Sequence, residues 1–302
     1  MDGLEKLFLA ATFVVAVLVV VSFLTQTGTV TVTEPALDPV PVPIVGTGYT
    51  LAWSDEFDTL DRSRWNDRLR WSPCVPSAGR VHVTGGVLHL EQAVGECELT
   101  QVNTAWNVAD PSSFLQPLYV EFRMRLPVGD QSWPSAWFMN YEHLSVPPPA
   151  GQPTPACTTA GGDLIDELDV VDNGAPGQQA DTLVSTLRKN PTGYCGVPDA
   201  LSGCDNPGLP GAFCGVDVNV DLTAGFHRIA AWWTAGKVRI YVDDTLVETF
   251  HTFPDQGTFH GTDSVPMAML LGSHRGDYYC NGCGTEPAVI DTQFDYVRVY
   301  RP

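Results

Sequence analysis

Alternating hydrophobic and polar residues dominate the chain after residue 50 and predict β-strands. In YVEFRMRLP, residues 119–127, apolar residues occupy every second position and charged residues fill most of the positions between them. Side chains of a strand alternate between two faces, so this segment predicts a strand with one buried face. Further strands are predicted in GGVLHLEQ, in FDYVRVY near the C-terminus, and in KVRIYVDDTLVETF, which reads as two strands joined at Asp243 and Asp244.

Many short strands separated by Gly, Pro and Asn predict an all-β domain, either a sandwich or a barrel. Strands and helices do not alternate after residue 50, which argues against a doubly wound sheet. Two long segments without strand signals, residues 145–162 and roughly 189–219, interrupt the pattern. Loops of this length are usually functional or disordered.

The N-terminus differs in kind, because Leu7–Leu24 is a run of 18 residues without a charge. A helix of this length spans ~27 Å, close to the ~30 Å of a bilayer core. Lys6 precedes the run and the next basic residue is Arg62, which favours an N-terminus inside the membrane and the remainder outside. We expect one N-terminal transmembrane helix in residues 1–24 as an uncleaved anchor. A cleaved signal peptide, which would give a secreted protein, is the alternative.

A polar and then proline-rich stretch follows, residues 25–49, and predicts a stiff extracytoplasmic linker. The folded domain is expected to span residues 50–302. All eight cysteines lie in that domain, and an even number in an exported protein predicts up to four disulfides. Their pairing cannot be deduced from the sequence.

The chain is strongly acidic, with 16 Lys and Arg against 35 Asp and Glu and a formal net charge of −19. Such a surface lacks the basic footprint that binds phosphate backbones, so nucleic acid is excluded as a partner. A polyanionic substrate is disfavoured for the same reason. A neutral polymer or a small molecule fits better, although acidity also simply keeps a protein soluble.

Five carboxylates lie within DLIDELDVVDNG, residues 163–174, among Leu, Ile and Val. Unpaired charges are expensive to bury, so these acids need a face outside the core. Residues two apart share a face, which would put Glu167 and Asp169 together and Asp172 on the opposite side. One extra residue between Asp169 and Asp172, a β-bulge, would bring the three carboxylates into one row across a concave sheet. Bulges are common beside active sites.

A row of this kind suits a retaining glycosidase. In such enzymes one carboxylate attacks the sugar and a second, ~5–5.5 Å away, protonates the leaving oxygen. A third carboxylate between them can orient the nucleophile and separate the titrations of the pair. From this segment alone, an acidic loop or a calcium site built from Asp and Asn oxygens are the alternatives.

Six segments occur in the order found in glycoside hydrolase family 16. They are LAWSDEFDTLDRSRWN, YVEFRMRLP, WPSAWFM, ELDVVD, FHRIAAWWTAGKVRIYVDD and FDYVRVY, and they extend over about residues 50–301. The chain resembles the laminarinase-like endo-β-glucanases of that family. The resemblance implies a concanavalin A-like β-jelly-roll sandwich of two antiparallel sheets with a glycan cleft. It also implies retaining hydrolysis, or transglycosylation, of a β-linked polysaccharide, with β-1,3-glucan first because of WPSAWF.

The acidic signature of the family, Glu-x-Asp-x-x-Glu, implies roles for three residues. Glu167 matches the nucleophile, and Asp169 matches the aspartate that supports it. Asp172 stands where the family has a glutamate as general acid/base. Asp is shorter by one methylene, ~1.5 Å, and misplacement on that scale can lower the rate ~100-fold. Two expectations therefore stay open: a glycoside hydrolase, and a non-catalytic lectin-like domain that binds glycan.

Tryptophans near the expected cleft are candidate sugar contacts, because indole rings offer flat apolar partners to sugar faces. Trp133 and Trp137 resemble the tryptophans that flank the cleft strand of the family, and Trp106 lies on another predicted cleft strand. His274 follows a predicted strand and could reach the cleft rim. The alternative is a place in the core for the tryptophans and a solvated loop for His274.

The resemblance also implies a structural calcium ion on the convex side, which many bacterial members of the family carry. The matching ligands would be the side chain of Asp295 and backbone carbonyls near Glu56 and Gly86, and oxygen ligands suit Ca²⁺. An ordinary acidic pair at the sheet edge is the alternative. No cofactor is expected to be required for catalysis.

Overall fold

The structure is a computed structural model and describes residues 41–67, 77–93, 96, 99–104, 114, 117–129, 132–140, 166–174, 180–189, 200–201, 214–234, 237–251, 267–275 and 288–302. These residues form one short 3₁₀ helix, Val42–Ile44, and a series of strands. In chain order the strands are β1 (Thr50–Asp55), β2 (Val81–Thr84), β3 (Val87–Ala93), β4 (Leu99–Asn103), β5 (Leu118–Arg125), β6 (Ser132–Asn140), β7 (Asp166–Asp172), β8 (Thr182–Lys189), β9 (Ala200–Leu201), β10 (Cys214–Asp217), β11 (His227–Thr234), β12 (Lys237–Val242), β13 (Thr245–His251), β14 (Met267–Arg275) and β15 (Val289–Arg301).

The strands form two antiparallel sheets. The outer sheet has the order β13-β12-β11-β5-β15-β3-β2, with β1 also paired to β15. The inner sheet has the order β10-β8-β7-β6-β14-β4, with β9 also paired to β8. The predicted all-β fold of two antiparallel sheets is confirmed, and the arrangement is consistent with a jelly roll.

Apolar side chains of both sheets pack between them into one core. The ring of Phe138 on β6 lies 6.3 Å from that of Phe122 on β5 and 6.2 Å from that of Trp233 on β11. The apolar face predicted for β5 is confirmed, because Val120, Phe122 and Met124 are all fully buried in this core. Removing such side chains from water is the main favourable contribution to folding. The prediction that only one face is buried is wrong, because Tyr119 and Glu121 on the other face are 1% and 2% exposed.

The turn predicted between β12 and β13 is present at Asp243 and Asp244, whose φ angles are 46° and 67°. Positive φ at both central residues gives the two-residue turn that matches the twist of the strands. Asp visits this region more readily than most residues because its short side chain can form local hydrogen bonds. Here the Asp243 carboxylate accepts a hydrogen bond from the backbone N–H of Arg228 at 2.9 Å. The Asp244 carboxylate accepts one from the guanidinium of the same arginine at 2.5 Å.

The end of the predicted linker is folded onto the outer sheet. Ile44 is only 1% exposed, although it lies in a segment that was expected to be an extended spacer. Folded structure therefore begins before the predicted boundary at residue 50. The side chains that pack with Ile44 belong to the face of the outer sheet away from the core: Tyr119, Ala230, Tyr241 and Tyr300.

Several predictions fall outside the described residues. The predicted anchor, residues 1–24, is among them, and within the described ranges no helix is long and apolar enough to cross a membrane. Of the cysteines only Cys214, in β10, is described, so the disulfides stay a prediction. Trp106 also lies outside the described residues.

Candidate active site

The acidic segment forms β7, and its pairing with β6 contains the predicted extra residue. Two consecutive residues of β6 lie opposite Asp169 and Val171, so Val170 between them is unmatched and forms a β-bulge. The hydroxyl of Ser185 on β8 donates to the Val170 carbonyl at 2.8 Å, which satisfies that buried acceptor. Leu168, Val170 and Val171 are all fully buried in the core between the sheets.

The bulge turns three carboxylates, which we call the acidic row, to the face of the inner sheet opposite the core. They are Glu167, Asp169 and Asp172, with exposures of 9%, 5% and 8%. None of the three belongs to the core cluster that contains their apolar neighbours on β7. Their partners across the strand pair on β6 are Met139, Trp137 and Ser135, respectively. One extra residue thus has the effect on side-chain direction that the sequence predicted.

Asn173 ties the end of β7 to β8. Its Nδ2 donates to the carbonyl of Thr182 at 2.7 Å, and its Oδ1 accepts the backbone N–H of Val184 at 2.8 Å. These two bonds use both ends of a buried amide, and buried polar groups are stable only when they are paired. The strand is therefore fixed immediately beyond Asp172.

The carboxylate of Asp172 accepts a hydrogen bond from Trp133 on β6, whose Nε1 lies 2.5 Å from Oδ1. The indole in turn lies directly against Gly174, where an added Cβ would overlap its Cγ, Cδ1 and Cδ2 atoms. It also packs on His274, with ring centroids 5.0 Å apart and planes inclined by 31°. We call Trp133, Gly174 and His274 the indole cluster.

His274 lies on β14 opposite Trp133, on the same face of the inner sheet as the acidic row. Part of the residue reaches solvent, but protein atoms surround the imidazole. This desolvation lowers the pKa of His274 to about 3, because burial penalises the charged form. The imidazole is therefore neutral near pH ~7.

We expect His274 to make the protein less stable as the pH falls below the ordinary pKa of an imidazole. In the unfolded chain the imidazole takes up a proton near its ordinary pKa of about 6.5, whereas in the folded chain it does so only near about 3. Between these values the unfolded state binds more protons, so stability decreases by up to about 1.4 kcal/mol for each pH unit. Urea unfolding at pH ~7 and ~5.5, above most carboxylate titrations, measures this decrease. His274→Phe, which keeps a ring against Trp133, should lose less stability over that interval, and an equal loss would contradict the assignment.

Trp137 lies on the face of the acidic row and not in the core between the sheets. It is opposite Asp169 on the neighbouring strand and is 9% exposed. The sequence left open whether Trp137 lies in the core or near the expected cleft, and the structure places it beside the carboxylates. A sugar contact by Trp133, Trp137 or His274 stays a prediction.

Sequence reasoning missed polar residues on the same face. Gln101, Gly272, Ser135 and Asp172 are successive neighbours across β4, β14, β6 and β7. Gln101 is 1% exposed, and its side-chain nitrogen and oxygen have no hydrogen-bond partner among the residues described. A buried polar group without a partner costs about 1–3 kcal/mol. The alternation in LTQVN, with Val102 in the core, is the signal that could have marked it.

Arginines pair with two carboxylates at the predicted calcium site. Asp295 is the extra residue of a second bulge, in β15, and its carboxylate pairs with Arg123. The carboxylate of Glu56 accepts two bonds from Arg298, at 2.8 and 3.0 Å. Gly86 lies in the turn between β2 and β3 with φ of 78°. A structural calcium ion held by the Asp295 side chain and by carbonyls near Glu56 and Gly86 stays a prediction. Elsewhere in the described ranges, no group of three or more His, Cys, Asp or Glu could hold a metal ion.

Two curated proteins are similar to the chain, although no model of a known protein family matches it. A β-glucanase from Rhodothermus marinus is 25% identical over 275 residues, covering 84% of this chain and 85% of the relative. A keratan-sulfate endo-1,4-β-galactosidase from Sphingobacterium multivorum is 23% identical over 269 residues, covering 85% of this chain. The match spans only 56% of the length of that second relative.

Solved structures of laminarinases share the fold. The laminarinase from Rhodothermus marinus has a TM-score of 0.58 at 21% identity, covering 84% of this chain and 97% of that one. The laminarinase from Flavobacterium sp. UMI-01 has a TM-score of 0.58 at 19% identity, covering 83% of this chain and 100% of that one. A family 16 endo-β-1,3(4)-glucanase, crystallised with 1,3-β-D-cellotriosyl-glucose, has a TM-score of 0.59 at 20% identity, covering 85% and 96%. The chain therefore shares the fold of the family 16 laminarinases, and in sequence it is similar to a β-glucanase.

Proposed function

We propose that the protein is a retaining endo-glycosidase that hydrolyses or transglycosylates a neutral β-linked polysaccharide, with β-1,3-glucan as the leading substrate. The observation that carries this proposal is the β-bulge at Val170, which brings the acidic row to one face of the inner sheet. Charges gathered on a nearly buried face destabilise a fold, so an arrangement of this kind marks a functional site.

In the first step Glu167 is the nucleophile. One of its oxygens forms a bond to the anomeric carbon while the bond from that carbon to the glycosidic oxygen breaks. Asp172 gives its proton to the departing oxygen, which leaves as the hydroxyl of a shortened glycan. Asp169 lies between the two along β7, on the same face, and orients Glu167.

In the second step water attacks the glycosyl ester that Glu167 has formed. The ionised Asp172 accepts a proton from that water, and the bond between Glu167 and the sugar breaks. Two inversions at the anomeric carbon give a product with the original β configuration. The hydroxyl of a second glycan in place of water gives transglycosylation, and neither step needs a cofactor.

The proposed substrate class rests on net charge and on the relatives. One curated relative is named a β-glucanase, and structural neighbours are named laminarinases. The other curated relative is named for keratan sulfate, a polyanion, which the net charge of −19 on this chain disfavours. Trp137, beside Asp169, supplies a flat apolar surface for a pyranose ring.

We also propose that the domain works outside the cell, either held by residues 1–24 as an anchor or secreted after their removal. The uncharged run Leu7–Leu24 and the scarcity of basic residues after it support this placement. Polysaccharides of the surroundings would then reach the acidic row directly.

We expect the purified protein to release oligosaccharides from laminarin and from mixed-linkage β-glucan, and little from keratan sulfate or agar. Proton NMR of the earliest products tests the stereochemistry, because retention gives the β anomer first. An α anomer first would contradict the assigned roles of Glu167 and Asp172. Binding to laminarin without any product would identify the lectin-like domain instead.

A further inference from the structure

We propose that Trp133 is a positioning residue for Asp172, and that its indole N–H compensates for the short aspartate at a position where family 16 has a glutamate. The inference rests on the proposed function, because the position of Asp172 matters only if Asp172 is the acid/base. It adds to that function a specific way in which this chain adapts to its own departure from the family signature.

The contact itself restricts the carboxylate. An aspartate side chain has two rotatable bonds and otherwise samples several rotamers. The hydrogen bond from Trp133 Nε1 to Asp172 Oδ1, at 2.5 Å, selects one of them, and bonds to a carboxylate are the stronger kind. Because a donor already occupies Oδ1, the acidic proton is directed to Oδ2. The proton that the leaving oxygen needs is thus assigned to one atom.

Trp133 is itself held in place by its neighbours. The N–H of Gly174 donates to the carbonyl of Asp172 at 2.9 Å, and this turn puts the bare Cα of Gly174 against the indole. Gly174 has no positive φ, so its role is to leave space for the ring and not to permit an unusual backbone. His274 packs on the same indole from β14, and its neutral ring adds no charge beside Asp172.

A sugar platform is the competing role for Trp133. Such a platform presents an open ring face, whereas here Gly174 occupies ring surface at contact distance. The two roles also affect different steps. A platform contributes to binding of every substrate, but a group that positions the acid matters most when the leaving oxygen needs a proton.

The test compares two substrates in the unsubstituted protein and in Trp133→Phe, which keeps an aromatic ring but removes the N–H. One substrate is a laminari-oligosaccharide, whose leaving sugar needs protonation, and the other is a β-glucoside with a dinitrophenolate leaving group, which does not. kcat/KM reports the steps up to bond cleavage. We expect a loss of about 100-fold on the oligosaccharide, and at most a few-fold on the dinitrophenyl glycoside.

Two further variants make the comparison specific. Trp232→Phe is the matched control, because its indole N–H donates to the Tyr49 hydroxyl at 3.2 Å on the outer sheet, and we expect it to leave both activities unchanged. Gly174→Ala displaces the Trp133 ring without removing any of its groups, and we expect it to reproduce the substrate dependence of Trp133→Phe. If circular dichroism shows that Trp133→Phe is unfolded, Gly174→Ala tests the positioning role in its place.

The outcomes separate this inference from the proposed function. Equal losses on both substrates in Trp133→Phe and Gly174→Ala would overturn the positioning role and leave the hydrolase intact. A folded wild-type protein that cleaves neither substrate would overturn the proposed function, and this inference with it. A loss confined to the oligosaccharide supports both.

Discussion

Glu167→Gln is expected to lower kcat/KM on laminarin by at least about 10⁴-fold, which is the scale of losing a nucleophile that acts in concert with its partners. An amide cannot form the glycosyl ester through which the proposed two-step reaction passes. The substitution is isosteric and removes one of several neighbouring negative charges, so we expect the fold to be kept. Product release measured by reducing-sugar assay, with circular dichroism as a check of folding, tests this.

Glu91→Gln is the matched control. Glu91 lies on β3 in the outer sheet and pairs with Arg80 at 3.0 Å. Partly exposed ion pairs of this kind contribute about 0–1 kcal/mol to stability, so full activity is expected. If Glu167→Gln stays as active as Glu91→Gln, Glu167 is not the nucleophile, and the roles assigned along the acidic row are wrong.

Deleting Val170 is expected to destabilise the protein by about 1.5–3 kcal/mol but to keep the acidic row on one face. Without the extra residue, strict alternation through Asp169, Val171 and Asp172 leaves the two carboxylates on the same side of β7 and Val171 on the core side. The core loses the side chain of Val170, which is 0% exposed, and the Ser185 hydroxyl loses the carbonyl to which it donates. Loss of the bulge also shifts Asp172, so we expect activity to fall by up to about 100-fold but not to vanish. The midpoint of urea unfolding and the activity on laminarin measure the two effects.

Val170→Ala is the matched control. It keeps the extra residue of β7, and with it the bulge, but shortens the same buried side chain. We expect it to lose stability much as the deletion does and to keep full activity. A deletion variant that is as inactive as Asp172→Asn would mean that Asp172 no longer lies on the face of Asp169, and would contradict the account of the bulge.

The bulge could be predicted from the sequence because two demands on the same seven-residue strand conflict. Leu168, Val170 and Val171 need burial, and the carboxylates around them must avoid it, which no strict alternation satisfies. One unmatched residue resolves the conflict, and the structure contains it at Val170. The conflict between burying the apolar residues and exposing the carboxylates therefore predicted the bulge, which the residues of one face alone could not have done.

Contacts between distant segments could not be predicted in this way. The segment WPSAWFM is apolar on both faces, so alternation could not decide on which side Trp137 lies. The place of His274 beside Trp133 depends on the pairing of β14 with β6. The ion pair of Asp295 has a related origin, since the bulge there brings its carboxylate to Arg123, a residue more than a hundred positions away.

The docking of Ile44 has a practical consequence for anyone who immobilises or fuses this protein. Because this residue is buried on the back of the outer sheet, the chain enters the domain on the side remote from the acidic row. A bead, affinity tag or carrier protein joined ahead of Val42 would be attached on the outer sheet, on the face away from the acidic row. Long polymers could then approach the acidic row without meeting the attachment.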